Sequence, residues 1–142
     1  LLNAIELDDL FEARTMLLEM ILNRIAQSEK PLDLGPLKET IEETRLAAAE
    51  NDSMRRVAAA RNFYHQIAAM TGNTALVFTV DAQTELVQTF LRFRVSDMDP
   101  DRLLTSRQAF VDLLEQGRID EAKEELRSHL DRVHRSLWKK NI

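Results

Sequence analysis

Two arginines occupy positions that helical periodicity assigns to the protein interior. Arg14 interrupts the apolar series Leu10, Leu17, Leu18, Ile21, and Arg107 interrupts Leu103, Leu104, Phe110, Val111, Leu114. Residues three, four and seven apart share one face of an α-helix, so both guanidiniums are expected to point where the leucines point. His129 stands in the same way among Ala122, Leu126, Leu130, Val133 and Leu137, and Tyr64 among Val57, Ala60, Ile67 and Ala68. A buried guanidinium without a partner is expensive because the ion loses its water. These stripes supply no acidic residue, although Glu12 and Glu19 flank the first of them and offer an internal pairing. The other source of an anion is a ligand. The planar fork of arginine matches a carboxylate through two parallel N–H···O bonds. Plainer roles exist for each residue: an arginine can snorkel to solvent, a core histidine commonly bonds a backbone group, and a tyrosine is more often core than ligand contact.

Other reactive constellations are thin. The three histidines are His65, His129 and His134, and the last two are five apart, so they do not share a helix face. There is no defensible Ser-His-Asp pattern, no glycine loop to cradle phosphate and no HExxH. The many carboxylates read as solvated helix faces, and no catalytic residues are expected.

The elements that must position these side chains follow from composition and breakers. The 142 residues suit one domain. The chain is 44% hydrophobic and 30% charged with only three glycines and three prolines, which argues for long helices. Six are expected: Leu7 to Ser28; Pro36 to Asn51; a helix capped by Asp52 or Ser53 and running to Met70 or Thr71; Thr74 to Arg94; Asp101 to Gln116; and Ile119 to Lys140. The fourth is ambiguous locally, since Leu76-Val77-Phe78-Thr79-Val80 is rich in β-formers, but its apolar spacing continues through Leu86, Val87, Phe90, Leu91 and Phe93. Gly72-Asn73, Asp97 to Pro100 and Gly117 are breaks. Amphipathic helices with short links imply an all-α antiparallel bundle.

A net charge of −5 without a basic stripe argues against this chain gripping DNA phosphates itself. No cysteine is present, which excludes disulfides and thiolate metal sites and fits a reducing cytosol. No apolar run approaches the roughly 20 residues that span a bilayer. The opening residues, with Glu6, Asp8 and Asp9, are unlike a secretory signal. A cytoplasmic location with no membrane contact is therefore expected. The start at Leu1-Leu2 reads as that of a fragment or trimmed chain.

Asp9-Leu10-Phe11-Glu12-Ala13-Arg14 followed by Leu18-Glu19 resembles the opening of FCD domains, the effector-binding C-terminal halves of FadR-type GntR transcription regulators. Asn62-Phe63-Tyr64-His65-Gln66-Ile67-Ala68 leading into Thr71-Gly72-Asn73 resembles their central helix. Arg107 to Gly117, then Ala122 to His129-Leu130, resembles their closing pair. The resemblance covers essentially the whole chain, residues 1–142, in order. It implies a bundle of six to seven helices, homodimerisation, and a DNA-binding winged helix-turn-helix upstream that this chain lacks.

The resemblance also implies a place for a divalent metal, often zinc or nickel, held by an aspartate, a histidine one turn later, and two further histidines. Mapped by spacing, those positions fall on Ala60, Tyr64, Arg107 and His129. Three of the four ligands are replaced, so a metal is disfavoured and no cofactor is expected. His65, about 100° around the helix from Tyr64, is a poor substitute. In metal-containing members the cation helps bind an organic acid. Here Arg107 is expected to supply that charge, with Arg14 as a second anchor and Tyr64, Asn73 and His129 adding hydrogen bonds.

Three functions are weighed: a sensor of a small carboxylate effector that modulates DNA binding by an attached domain; a structural dimerisation domain that has lost ligand and metal; and, ranked below both, a helical-bundle enzyme. A polar cavity of a few hundred Å³ around Arg107 would mark the first, and a filled one the second.

Overall fold

A computed structural model describes the backbone of residues 4–91 and 98–141 and the side chains of residues 6–90 and 98–137. It contains six helices: α1 (Ala4–Gln27), α2 (Gly35–Ala49), α3 (Ser53–Ala69), α4 (Thr74–Leu91), α5 (Pro100–Glu115) and α6 (Ile119–Asn141). The described residues form no strand. The ambiguous run Leu76 to Val80 is helical, so the continuing 3.6-residue period outweighs local β-propensity. Phe93, Arg94 and Asp97 lie outside the described residues.

The breaks act by identifiable chemistry. Asp52, in an extended conformation, accepts from the backbone N–H of Arg55 and caps α3. Asp99 does the same for α5 through the N–H of Asp101, with Pro100 in the first turn. Gly72 and Gly117 have φ of +67° and +71°, the left-handed region that a side chain disfavours. At Gly117 this conformation lets the N–H of Arg118 reach back to the carbonyl of Leu113 and close α5.

Short links make α2–α3, α3–α4 and α5–α6 antiparallel neighbours, and α1 packs on α6 and α4 while α2 packs on α5. The six helices thus close into a ring. Inside it, Phe63 packs edge-on against Tyr64 and Phe110 with centroids 5.3 and 5.9 Å away. Leu18, Ile21, Ile67 and Leu114 join the same core.

Candidate functional site

The two arginines are interior, as their spacing implies. Arg14 on α1 is 1% exposed and Arg107 on α5 is 4% exposed. Arg14 donates from Nη2 to Thr84 Oγ1 on α4 at 3.0 Å, and its guanidinium carbon lies 4.2 Å from the Tyr64 ring centroid. Arg107 donates from Nη1 to Thr44 Oγ1 on α2 at 3.1 Å and stands 4.6 Å over the Phe63 ring, with Tyr64 on the same cavity wall. The internal carboxylate pairing that the sequence left open is not made. Glu12 is exposed, and Glu19 accepts instead from Arg127 on α6.

Both side chains, with Tyr64 and His129, line one cavity of about 50 Å³. Its wall comes from Phe11 and Arg14 of α1, Arg56, Ala60 and Tyr64 of α3, Thr84, Val87 and Gln88 of α4, Met98, Leu103 and Arg107 at and in α5, and His129, Leu130 and Val133 of α6. The cavity is smaller than the few hundred Å³ expected of an effector pocket, yet it is not filled. By the room one water needs it accommodates roughly four. All four mapped positions, Ala60, Tyr64, Arg107 and His129, meet at it.

A third arginine was missed. Arg56 is 7% exposed and donates from Nη2 to the Met98 carbonyl at 3.1 Å. The apolar stripe of α3 starts at Val57, but carried back one turn from Ala60 the same face reaches Arg56. Each of the three keeps a buried N–H group with no partner: Nη1 of Arg14, Nε of Arg56 and Nε of Arg107. Burial lowers the pKa of all three from the ordinary arginine value. Asp99 opposes the effect at Arg56, whereas the only raising influence on Arg14 and Arg107 is Tyr64. No carboxylate is among the residues of the cavity wall.

His129 is held neutral. Burial first, then the charges of Arg107, Arg132 and Arg14, push its pKa down to about 3. Its imidazole therefore offers one donor and one acceptor rather than a charge.

Asn73 does not belong with these residues. Its Oδ1 accepts from the Leu76 N–H at 3.1 Å and caps α4, a local task that asparagine performs at helix starts, and it is absent from the cavity wall. His65 likewise lies apart, with Nδ1 3.0 Å from Asp81 on the half-exposed α3–α4 surface. His134 stacks on Phe11 at 4.8 Å and hydrogen-bonds Asp8 at 2.6 Å.

The residues present do not suit a metal. One imidazole is a poor chelator, since stable sites want three or four ligands, and three guanidinium charges around it repel a cation. Among the described residues no three His, Cys, Asp or Glu side chains cluster.

Fold and site together define a helical ring around a small, cation-rich internal cavity. Residues 9–132 match the FCD domain, and the chain belongs to that family. Two solved structures share the fold. One is the Listeria monocytogenes protein Lar, described as controlling expression of the agr system and mediating virulence (16% identity, TM-score 0.79, 98% of this chain and 66% of that one). The other is a GntR-type transcriptional regulator from Rhodococcus sp. RHA1, so described from structural genomics (17% identity, TM-score 0.72, 96% of this chain and 66% of that one). The chain thus spans slightly under two thirds of each. No curated protein is significantly similar to it.

Proposed function

We propose that this chain is the effector-binding and dimerisation domain of a cytoplasmic GntR-type bacterial transcription regulator, and that its effector is a small organic acid. The observation that carries this reading is the pair of buried arginines, Arg14 and Arg107, on one cavity with no carboxylate in its wall. An anion from outside supplies what the chain does not. Tyr64 and His129 add neutral hydrogen-bonding groups beside it, and Arg107 takes the electrostatic part that a metal plays elsewhere in the family. Effector occupancy shifts the bundle between conformations and so alters operator affinity of a winged-helix domain joined to it. DNA contact belongs to that domain, because this chain carries a net charge of −5. No described helix is long and apolar enough to cross a membrane.

A screen of organic acids by thermal shift tests this. At least one acid is expected to raise the midpoint, with the response lost in Arg14→Ala and Arg107→Ala. Loading with zinc or nickel followed by mass spectrometry is expected to find no stoichiometric metal; a stoichiometric metal lost in His129→Ala would overturn the arginine-for-metal reading.

The homodimer has a surface that suits it. On α4, Phe78 is 69% exposed and Leu86 46%, with exposed Ala75 and Ala82 at helical spacing beside them. An unpartnered apolar stripe of this kind marks an association surface. Phe78→Glu is expected to convert a dimer to a monomer in light scattering, with helicity unchanged; a variant that stays dimeric places the interface elsewhere. The purely structural reading is the less favoured, because Arg14 and Arg107 are buried on the cavity without a carboxylate in its wall. No observation favours a helical-bundle enzyme.

A further inference from the structure

We propose that the cavity selects a compact dianion, two negative charges on a short body, over a monoanion of the same size. The proposal rests on the effector-binding reading and adds the ligand's charge and length to it.

The charge follows from what is left uncompensated. Arg14 and Arg107 are both interior, and no carboxylate acts on either. Arg56 differs, since Asp99 partly meets its charge. Two cations therefore remain. A monoanion pairs with one of them and leaves the other desolvated and alone, which is the expensive case. A dianion neutralises both.

Each guanidinium also keeps unused donor capacity: Arg14 Nη1 and Arg107 Nε are both buried without a partner. The two guanidiniums lie around a single phenol. Tyr64 sits with its ring 4.2 Å from the Arg14 guanidinium carbon and lines the same cavity as Arg107. A short body thus reaches both. The cavity of about 50 Å³ has the room of roughly four waters, which favours a compact ligand and not a long-chain acid. Val87, Leu130 and Val133 add carbon to the wall for the ligand's methylene spine.

Calorimetric titration of the 142-residue chain tests this with malonate, succinate, glutarate and inorganic phosphate against butyrate and succinamate. Succinamate has the shape of succinate and one charge fewer. At about pH 7.5, where both carboxyls are ionised, the best dianion is expected to bind at least about tenfold tighter than succinamate, the worth of one charge-assisted hydrogen bond. The diacid and phosphate arms separate a dicarboxylate from a phosphoryl ligand. In Arg14→Gln and Arg107→Gln, which preserve a donor toward Thr84 and Thr44, that preference is expected to fall to about twofold or less with helicity unchanged. Succinamate or butyrate binding as tightly as every dianion overturns the dianion proposal and leaves the effector-binding reading intact. Binding by none of the six takes down the effector-binding reading and the proposal together. An undiminished preference in both glutamine variants overturns the assignment of the two charges to Arg14 and Arg107.

Discussion

Arg107→Met is expected to raise the thermal midpoint of the ligand-free chain by about 3–10 °C, the equivalent of roughly 1–3 kcal/mol for a domain of this size. The wild-type guanidinium is 4% exposed, and both burial and the neighbouring Arg56 charge work against it. Its compensation is the Thr44 hydrogen bond, the Phe63 ring and Tyr64. A charged hydrogen bond contributes about 1.5–3 kcal/mol and a desolvated cation–π contact about 2. Taking an unpaired ion out of water costs several kcal/mol or more, and methionine fills the same space while adding its own apolar burial. Thr44 loses little, because its hydroxyl already donates to the Thr40 carbonyl. Arg14→Met is expected to act in the same direction. Both variants are expected to lose any response to organic acids, so stability and binding move oppositely. The measurement is a scanning melt of each variant without ligand. A midpoint lowered in both would mean that the two charges already have adequate partners within the chain.

The second large effect is on pH dependence. His129 has a folded-state pKa of about 3 against an ordinary 6.5, through burial and then Arg107, Arg132 and Arg14. These charges come from α5, α6 and α1, and every one is positive, so they all act in one direction. Between those two pH values the unfolded chain binds a proton at this position that the folded chain refuses. Stability therefore falls as the solution is acidified from about pH 6.5, with a slope of up to about 1.4 kcal/mol per pH unit from this group. His129→Gln, neutral at every pH, is expected to remove that slope. Urea midpoints of wild type and variant from about pH 7.5 to 4.5 give the test. Surface carboxylates titrate alike in both proteins and cancel in the difference. Curves that stay parallel would show that His129 is protonated without penalty.

Much of this architecture is legible from the residues alone, for a physical reason. Helix ends are written in local chemistry: Asp52, Asp99 with Pro100, Gly72 and Gly117 act on backbone groups within a turn of themselves. The inward direction of Arg14 and Arg107 follows from the helical period, which tertiary contacts do not alter. What escaped is what depends on pairings between helices. Thr44 and Thr84 have the shape of valine, so nothing in their own stripes announces that they hold the arginines. Arg56 lies one residue before Val57, the first apolar residue of the α3 stripe, and the Met98 carbonyl across the bundle holds it in place. Asn73, expected to hydrogen-bond the ligand, caps α4 and is absent from the cavity wall, because asparagine is a strong helix cap and the Leu76 N–H lies within a turn of it. Phe78 fits an apolar period equally well facing in or out, and it faces out.

The ring of helices divides into two leaves. One comprises α2, α3 and α4, joined by hairpin links; the other comprises α5 and α6 with α1 packed on them. The seam between the leaves runs where α1 meets α4 and where α2 meets α5, without a short loop across either junction. Arg14–Thr84 clasps the first junction and Arg107–Thr44 the second, and Arg56 reaches over to the Met98 carbonyl just before α5. Among the described residues, the one further side-chain bond across the seam is a solvated ion pair, Lys38 with Glu115. The groups that face the cavity are thus the groups that latch the leaves. By thermodynamic reciprocity, if a ligand that draws on those guanidiniums changes the leaf angle, holding that angle from outside changes the ligand's affinity by the same factor.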